Sequence, residues 1–248
     1  MTTVPALDGV FNLRDLGGLA VPGGTTRLGR LYRADGLHRL SEAHRPGVAQ
    51  LGISMVVDLR DDDEAARDGR FSHDGIEVRS APIADIPKQL VGETRGDDLL
   101  RHHLVAITEN AGPQLSQALA DVAEALAAER SVVFHCFAGK DRTGVLAALI
   151  LSGIGASDDV VTVDFARSAE PMVAMAAWLA EAYGITAADK MAEFGLAPEM
   201  ADVLFSARPA TMAGLLADLA DAHGSVAGYI DTIGATDAIA TIRHSLVT

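Results

Sequence analysis

The chain lacks the features that most secreted and membrane-spanning proteins carry. It contains one cysteine in 248 residues, Cys136, so an intramolecular disulfide cannot form. Met1 to Gly9 has neither a basic region nor an apolar core of signal-peptide length. The longest apolar run, Val145 to Ala156, is too short to span a bilayer. We therefore predict a protein without an integral membrane segment, located in the cytoplasm or secreted without a recognisable signal peptide.

Basic residues are also scarce. The sequence has 20 Lys and Arg against 34 Asp and Glu, which gives a formal net charge of −14. This balance argues against nucleic acid and against a broad anionic membrane surface as partners. Aromatic residues are few, whereas 49% of the residues are hydrophobic, enough for a sizeable core. Length and composition together predict one domain over residues 1–248.

Recognisable spacing of metal ligands is absent as well. His102 and His103 are adjacent, so on a helix their side chains would point to different sides. A lone pair of this kind does not predict a zinc or transition-metal site. We expect neither a metal nor another cofactor.

Hydrophobic patterning predicts an α/β fold with a mostly parallel central sheet flanked by helices. Short β-branched runs at 53–59 and 131–134 are typical of buried strands in a parallel sheet, and 76–83 is predicted to be a further strand. Apolar residues at helical spacing separate and follow these runs. The predicted helices cover 41–51, 65–70, 113–128, 157–168, a stretch from 170, 209–223, and two short segments within 225–247 that are broken at Gly234, with Thr236 as an N-cap.

The stretch from His135 to Gly144 organises the rest of the chain. It joins the β-branched run 131–134 to the apolar run 145–154, which predicts a strand, a tight loop and a helix. Cys136 lies at the strand end, and Arg142 follows six positions later at the helix start. The five residues between them suffice to surround a tetrahedral anion with backbone N–H groups, and the helix N-terminus adds partial positive charge. We expect phosphate or sulfate to bind in this loop.

The residue types in the loop suit attack on phosphorus. A thiolate is the nucleophilic form of cysteine, and cationic neighbours and a helix N-terminus favour that form. Arg142 offers a planar fork for two phosphoryl oxygens, which lysine does not. Thr143 is predicted to donate a hydrogen bond to the sulfur of Cys136, and Gly139 to permit a sharp turn. We interpret His135 as a residue that holds the loop rather than as a base.

These residues carry a family resemblance. The pattern His-Cys-x-x-Gly-Lys-x-Arg-Thr-Gly resembles the signature of the cysteine-dependent phosphatases, and the stretch from Cys136 to Arg142 resembles bacterial tyrosine phosphatases of the mycobacterial type B kind. Further stretches match that family, so that the resemblance covers nearly the whole chain: 12–18, 31–35, 57–60, 164–168 and 228–230.

The resemblance has implications for fold and function. It implies the cysteine phosphatase fold, with residues 170–206 as a helical lid insertion, although the residues alone fit plain helical packing nearly as well. It implies removal of phosphate from phosphotyrosine and, in several members, from phosphoserine, phosphothreonine and phosphoinositides. Asn12, Arg14 and Arg33 would lie near the pocket, although the residues alone fit an ordinary Arg–Asp network equally well. The implied substrate-binding residues are Phe137, Ala138, Gly139, Lys140, Asp141, Arg142 and Thr143.

Two aspartates are candidates for the general acid that protonates the leaving oxygen. Asp85 follows the predicted strand 76–83, and in the resembling family an aspartate at the matching place has this role. Asp141 lies inside the loop beside Lys140 and Arg142, so it should stay ionised and orient Arg142 or a water. A turn-capping role for Asp85 remains the alternative. Upstream, residues 61–64 are predicted to cap a short helix and to lie on a solvated face.

The leading hypothesis is therefore a phosphate-monoester hydrolase that forms a phosphocysteine intermediate. Its alternative is a non-catalytic module that binds phosphate or phosphoproteins, which usually lacks the cysteine or the arginine. A nucleotide-binding loop is disfavoured because the upstream glycine is missing and neither Ser nor Thr directly follows Lys140. A rhodanese-like sulfurtransferase would need a loop of another size. The expected partner is a phosphorylated protein or a phosphoinositide, with Lys140 as an additional cation beside the pocket.

Overall fold

A five-stranded sheet lies at the centre of the protein. The computed structural model describes residues 7–84, 98–186, 188–189, 192, 203 and 205–248. The sheet has the order β1-β4-β7-β5-β6, with β1 antiparallel to β4 and every other pair parallel; β2 and β3 form a separate hairpin. The strands are β1 (Arg14–Asp15), β2 (Ala20–Val21), β3 (Gly24–Thr25), β4 (Leu31–Ala34), β5 (Ile53–Asp58), β6 (Glu77–Ser80) and β7 (Ser131–His135). The predicted fold class is confirmed.

Helices surround this sheet. The helix over Asp141–Gly153 is buried along almost its whole length, as expected of a segment that is apolar on every side. The helices are α1 (Pro46–Gln50), α2 (Asp62–Asp68), α3 (Asp98–Asn110), α4 (Gly112–Ala127), α5 (Asp141–Gly153), α6 (Asp158–Ala166), α7 (Ala169–Tyr183), α8 (Pro209–His223), α9 (Val226–Thr232) and α10 (Thr236–Leu246). Within the described ranges, none of them is both long and apolar enough to cross a bilayer.

Strand β7 positions the loop that follows it. It lies between β4 and β5, and its residues Val132, Val133 and Phe134 are completely buried. His135 is in register with Ala34 on one side and with a residue of β5 on the other. Because all three strands are parallel, their carboxyl ends meet at one edge, where ligand sites of open α/β sheets lie. The loop therefore leaves a fixed strand and enters the buried helix α5.

Three predicted helix starts are wrong. Helix α2 begins at Asp62 rather than at residue 65. Helix α1 begins at Pro46 rather than near Ser41, because proline fits the first turn of a helix and the Ser41 hydroxyl lies 2.9 Å from His44 Nδ1 instead. Thr236 is the first residue of α10 and not its N-cap; its hydroxyl donates to Asp231 Oδ1 at 3.1 Å.

Two predictions lie wholly or largely outside the described residues. The described residues do not include Asp85, the first candidate for the general acid, or most of 187–204. Helix α7 forms the described start of the predicted insertion 170–206, as its sequence indicates. The assignment of this insertion as a lid stays a prediction.

Candidate active site

The carbonyl groups of the loop after β7 face the surrounding protein. Cys136 O lies 3.1 Å from His135 Nδ1. Phe137 O accepts hydrogen bonds from Gly36 N at 3.0 Å and from Arg39 Nη1 at 3.2 Å. The first half of the loop is thus held from outside by its own strand and by the chain that follows β4.

The second half of the loop is held by two buried side chains. Asn12 Nδ2 donates to Ala138 O at 3.2 Å and to Gly139 O at 3.0 Å. Arg33 Nη2 donates to Gly139 O at 2.8 Å and reaches Lys140 O at 3.5 Å. Both side chains belong to segments that the resemblance placed near the pocket, and both contact the loop itself.

The outward carbonyls determine where the N–H groups point. In a trans peptide the C=O and the following N–H lie on opposite sides, and the described chain has no cis peptide bond. The N–H groups of residues 137–140 are therefore directed into the loop, and that of Gly139 donates to Cys136 Sγ at 3.2 Å. Gly139 has φ +67°, and a Cβ at this position would lie 2.5 Å from Ala34 O. Only glycine fits here, as the sequence predicted.

Arg142 lies in the first turn of α5 and is bound by a carboxylate that sequence analysis missed. Its Nη2 donates to Glu64 Oε1 at 2.9 Å, its Nη1 donates to Glu64 Oε2, and Nη1 also reaches Ile83 O at 3.2 Å. Glu64 is buried, so the predicted solvated face is wrong for this residue. Its backbone N–H and side chain form a capping box with Asp61 at the start of α2. The Asp-x-x-Glu spacing was visible in the sequence, but its direction toward Arg142 was not.

Comparison with known proteins identifies the family of the chain. A sequence profile described as the tyrosine phosphatase family matches residues 5–248. The chain belongs to the tyrosine phosphatase family. It is 29% identical to the triple specificity protein phosphatase PtpB of Mycobacterium tuberculosis, with 95% of each chain covered. It is also 29% identical to a putative tyrosine-protein phosphatase of Cupriavidus necator, with 91% of this chain and 82% of the relative covered.

Similarity to solved structures is distant. A crystal structure of Pseudomonas aeruginosa TpbA covers 82% of this chain and 96% of its own, at 19% identity and a TM-score of 0.32. This similarity carries no further argument. Membership of the family makes the chain an enzyme of the protein-tyrosine phosphatase class, and its own geometry must identify the residues that act.

The remaining loop side chains of this phosphatase are partly engaged with the protein. Lys140 is almost completely buried; its Nζ donates to Ser206 O at 3.1 Å and lies 3.5 Å from Asp141 Oδ1. The predicted cation beside the pocket therefore contacts the end of the 170–206 segment. Thr143 Oγ1 is buried without a hydrogen-bond partner in the described part of the chain, so the predicted bond to Cys136 is not formed in this structure. The sulfur accepts a main-chain N–H instead.

His135 has the surroundings of a structural residue. It is completely buried, its Nδ1 faces Cys136 O, and its Nε2 lies 3.9 Å from Asp58 Oδ1. Burial lowers the pKa of His135, against the opposing effect of the Asp58 charge, so the ring is neutral near pH 7. Although burial alone would raise the pKa of Asp58, its interactions with His135 and with Arg60, which lies at 2.8 Å, hold it at about 2. These contacts support the interpretation that His135 holds the loop.

A buried ion network lies behind the loop. Asp164 of α6 binds Arg33 Nη1 at 2.5 Å and Arg14 Nε at 2.9 Å. Although burial alone would raise the pKa of Asp164, the two guanidinium groups hold it at about 2. Burial and the nearby Arg14 charge lower the pKa of Arg33 to about 10. The sequence left two alternatives for these residues, an Arg–Asp network or a place near the pocket. In the structure, the network is present and Arg33 also contacts the loop.

This network predicts a pH-dependent stability. Because the pKa of Asp164 is lower in the fold than its usual 3.8, its ionised form stabilises the protein fully above about pH 4, and this contribution is lost as pH falls toward 2. Asp164→Asn should lower the free energy of unfolding at pH 7 by about 3 kcal/mol or more, since Arg33 would keep a buried charge without its partner. Urea denaturation between pH 7 and pH 3 tests this. The exposed Asp74→Asn should change little; an equal loss in both variants would contradict the assignment.

Among the described residues, no cluster of three His, Cys, Asp or Glu side chains is arranged to hold a metal ion.

Proposed function

We propose that this phosphatase hydrolyses phosphate monoesters in two steps through a phosphocysteine intermediate, with phosphotyrosine as its main substrate. The observation that supports this most is the loop itself. Cys136 Sγ lies at the base of a ring of inward N–H groups, with Arg142 at the start of the next helix. Phosphate or sulfate should occupy this ring.

In the first step, the Cys136 thiolate attacks phosphorus opposite the leaving oxygen. The S–P bond forms as the P–O bond to the substrate breaks, and the leaving oxygen takes a proton from an aspartic acid. The loop N–H groups bind the equatorial phosphoryl oxygens, on which negative charge is spread in the transition state. Glu64 binds Arg142 through Nη1 and Nη2 and so fixes the plane of the guanidinium, whose charge would stabilise the phosphoryl oxygens.

In the second step, water attacks phosphorus and the P–S bond breaks. An aspartate accepts a proton from this water, inorganic phosphate leaves, and Cys136 returns as the thiolate. The Gly139 N–H that donates to Cys136 Sγ at 3.2 Å supports this step, because it stabilises the sulfur anion as it departs.

The name of one relative and the contacts of Lys140 bear on the substrate range. The relative from Mycobacterium tuberculosis carries the name of a triple specificity phosphatase and aligns over nearly the whole chain. We propose that this protein also has dual-specificity activity, on phosphoserine and phosphothreonine, and phosphoinositide phosphatase activity. Because Lys140 is buried against Ser206 O, the cation that would favour phosphoinositides is engaged with the protein here. We therefore rank phosphotyrosine first among the proposed substrates.

The general acid is predicted to be Asp85 rather than Asp141. Lys140 Nζ lies 3.5 Å from Asp141 Oδ1, which pairs the two charges and suits a carboxylate that orients its neighbours. Asp85→Asn should lower kcat for a phosphotyrosine peptide by about 10²-fold, and it should remove the fall of kcat at alkaline pH that loss of the acid's proton causes. Asp141→Asn should keep that alkaline limb. The effect should be smaller for 4-nitrophenyl phosphate, whose leaving group needs less protonation. The reverse pattern would assign the acid to Asp141.

The proposed function is tested by turnover. Release of 4-nitrophenol in a rapid burst followed by a slower steady rate would support a covalent intermediate. A panel of phosphotyrosine, phosphoserine and phosphothreonine peptides with phosphoinositides then ranks the substrates by kcat/KM. Activity should survive EDTA. A protein that binds phosphate but turns over none of these esters would instead be the non-catalytic binding module.

A further inference from the structure

Asn12 reaches the active loop from a segment far away in the sequence. It is almost completely buried, and each of its polar side-chain atoms is used. Nδ2 donates to Ala138 O and Gly139 O, while Oδ1 accepts from Arg14 Nη1. Its backbone N–H donates to Asp35 Oδ1 at 2.9 Å. The backbone of Asn12 is thus held by Asp35, and its side chain connects Arg14 with the loop.

We propose that Asn12 is a positioning residue, which aims the N–H groups of Gly139 and Lys140 at the oxygens of a bound phosphoryl group. Each of these N–H groups belongs to the same peptide plane as one of the carbonyls that Asn12 binds. Holding the carbonyl outward therefore holds the N–H inward. The catalytic part of this inference rests on the proposed function; the effect on anion binding does not.

The two peptide planes that Asn12 holds are the ones most free to rotate. They flank Gly139, which has φ +67° and no Cβ to restrict its dihedral angles. Rotation of either plane would turn a carbonyl oxygen, instead of an N–H donor, toward a bound anion. The other loop planes flank residues with side chains, which are sterically more restricted. Asn12 thus restrains the two peptide planes whose rotation would disturb anion binding most.

Arg14 explains why the residue must be asparagine. A guanidinium can only donate hydrogen bonds, so the side-chain atom of Asn12 that faces Arg14 must be the oxygen. The NH₂ group then faces the two carbonyls, and its two hydrogens match them. Arg14 is held in turn by Asp164 at 2.9 Å. Aspartate at this position would keep the contact with Arg14 but would present an oxygen to two carbonyl oxygens.

The test compares Asn12→Asp and Asn12→Ala with a matched control. Asn110→Ala removes an amide that donates to a backbone carbonyl in the same way, to Ala106 O at 2.8 Å, but in α3. The affinity for tungstate, an oxyanion that needs no turnover, is measured by calorimetry, and kcat and KM are measured in parallel. Both Asn12 variants should bind tungstate about tenfold more weakly and should lose about 10- to 100-fold in kcat, the range typical of residues that orient directly acting groups. N110A should change thermal stability alone.

Several outcomes would overturn the proposal. If N12D and N12A bind tungstate and turn over substrate within twofold of the wild type, Asn12 does not position the loop. If N12A does not fold, Asn12→Ser carries the same comparison, and failure of all three variants to fold at 10 °C would make the residue purely structural. If the wild type binds tungstate but hydrolyses no ester, the proposed function fails while the tungstate affinities still decide the role of Asn12.

Discussion

Replacement of Cys136 by serine is expected to lower kcat for 4-nitrophenyl phosphate by about 10⁴-fold or more, the scale of losing a hydrolase's nucleophile. A serine hydroxyl is largely un-ionised at neutral pH, whereas the thiolate is the form of cysteine that acts as a nucleophile. The N–H ring of residues 137–140 does not depend on the sulfur for its orientation, because its carbonyls are held from outside. Orthophosphate and tungstate should therefore still bind to C136S, as calorimetry would show.

The single cysteine provides a control for this prediction. Because Cys136 is the only thiol in the sequence, rapid alkylation of a thiol by iodoacetate reports on this residue alone. Cys136 is only 2% exposed, at the base of the loop, so orthophosphate bound above it should slow its modification. Mass spectrometry of the intact chain measures the rate with and without phosphate. Wild-type turnover by C136S, or modification at the same rate in both conditions, would contradict the assignment of Cys136 as nucleophile.

The part of the site that the sequence predicted is the part built from neighbours in the chain. The strand, the loop and helix α5 are contiguous, so β-branched residues, glycine and an apolar run suffice to indicate them. Gly139 is an example: its tight turn follows from the residues beside it. The position of Cys136 at the end of β7 follows from the same local pattern.

The supporting contacts depend on packing between distant segments. Glu64 and Arg142 are 78 positions apart, and Asn12 and Gly139 are 127 apart. Their meeting requires the order of β4, β7 and β5 in the sheet, which hydrophobic periodicity does not determine. An acidic run at a helix start is usually solvated. Glu64 is an exception because α2 follows β5, the strand that lies beside β7 in the sheet. Sequence reasoning thus failed at a residue of the candidate active site.

Arg142→Lys is expected to lower kcat/KM by about 10³-fold, the upper range for loss of one transition-state donor. Lysine keeps the charge but lacks the planar fork, so it cannot bind Glu64 and two phosphoryl oxygens at once. Most of the loss should appear in kcat, because charge on these oxygens is bound more strongly in the transition state. Steady-state kinetics on a phosphotyrosine peptide measures both parameters. A variant that changed KM alone would assign Arg142 to ground-state binding.

Glu64→Gln tests whether the carboxylate acts through Arg142. Glutamine keeps the size of the side chain but turns one acceptor into a donor that faces the guanidinium, so we expect about a tenfold loss of kcat. In the double variant with R142K the two losses should not add, because Glu64 has no fork left to orient. Half-buried Arg79 and exposed Glu124, which form hydrogen bonds at 2.6 and 2.8 Å, provide the matched control through R79K and E124Q. Additive losses in the Glu64 and Arg142 cycle would mean that the carboxylate stabilises the fold without aiming the arginine.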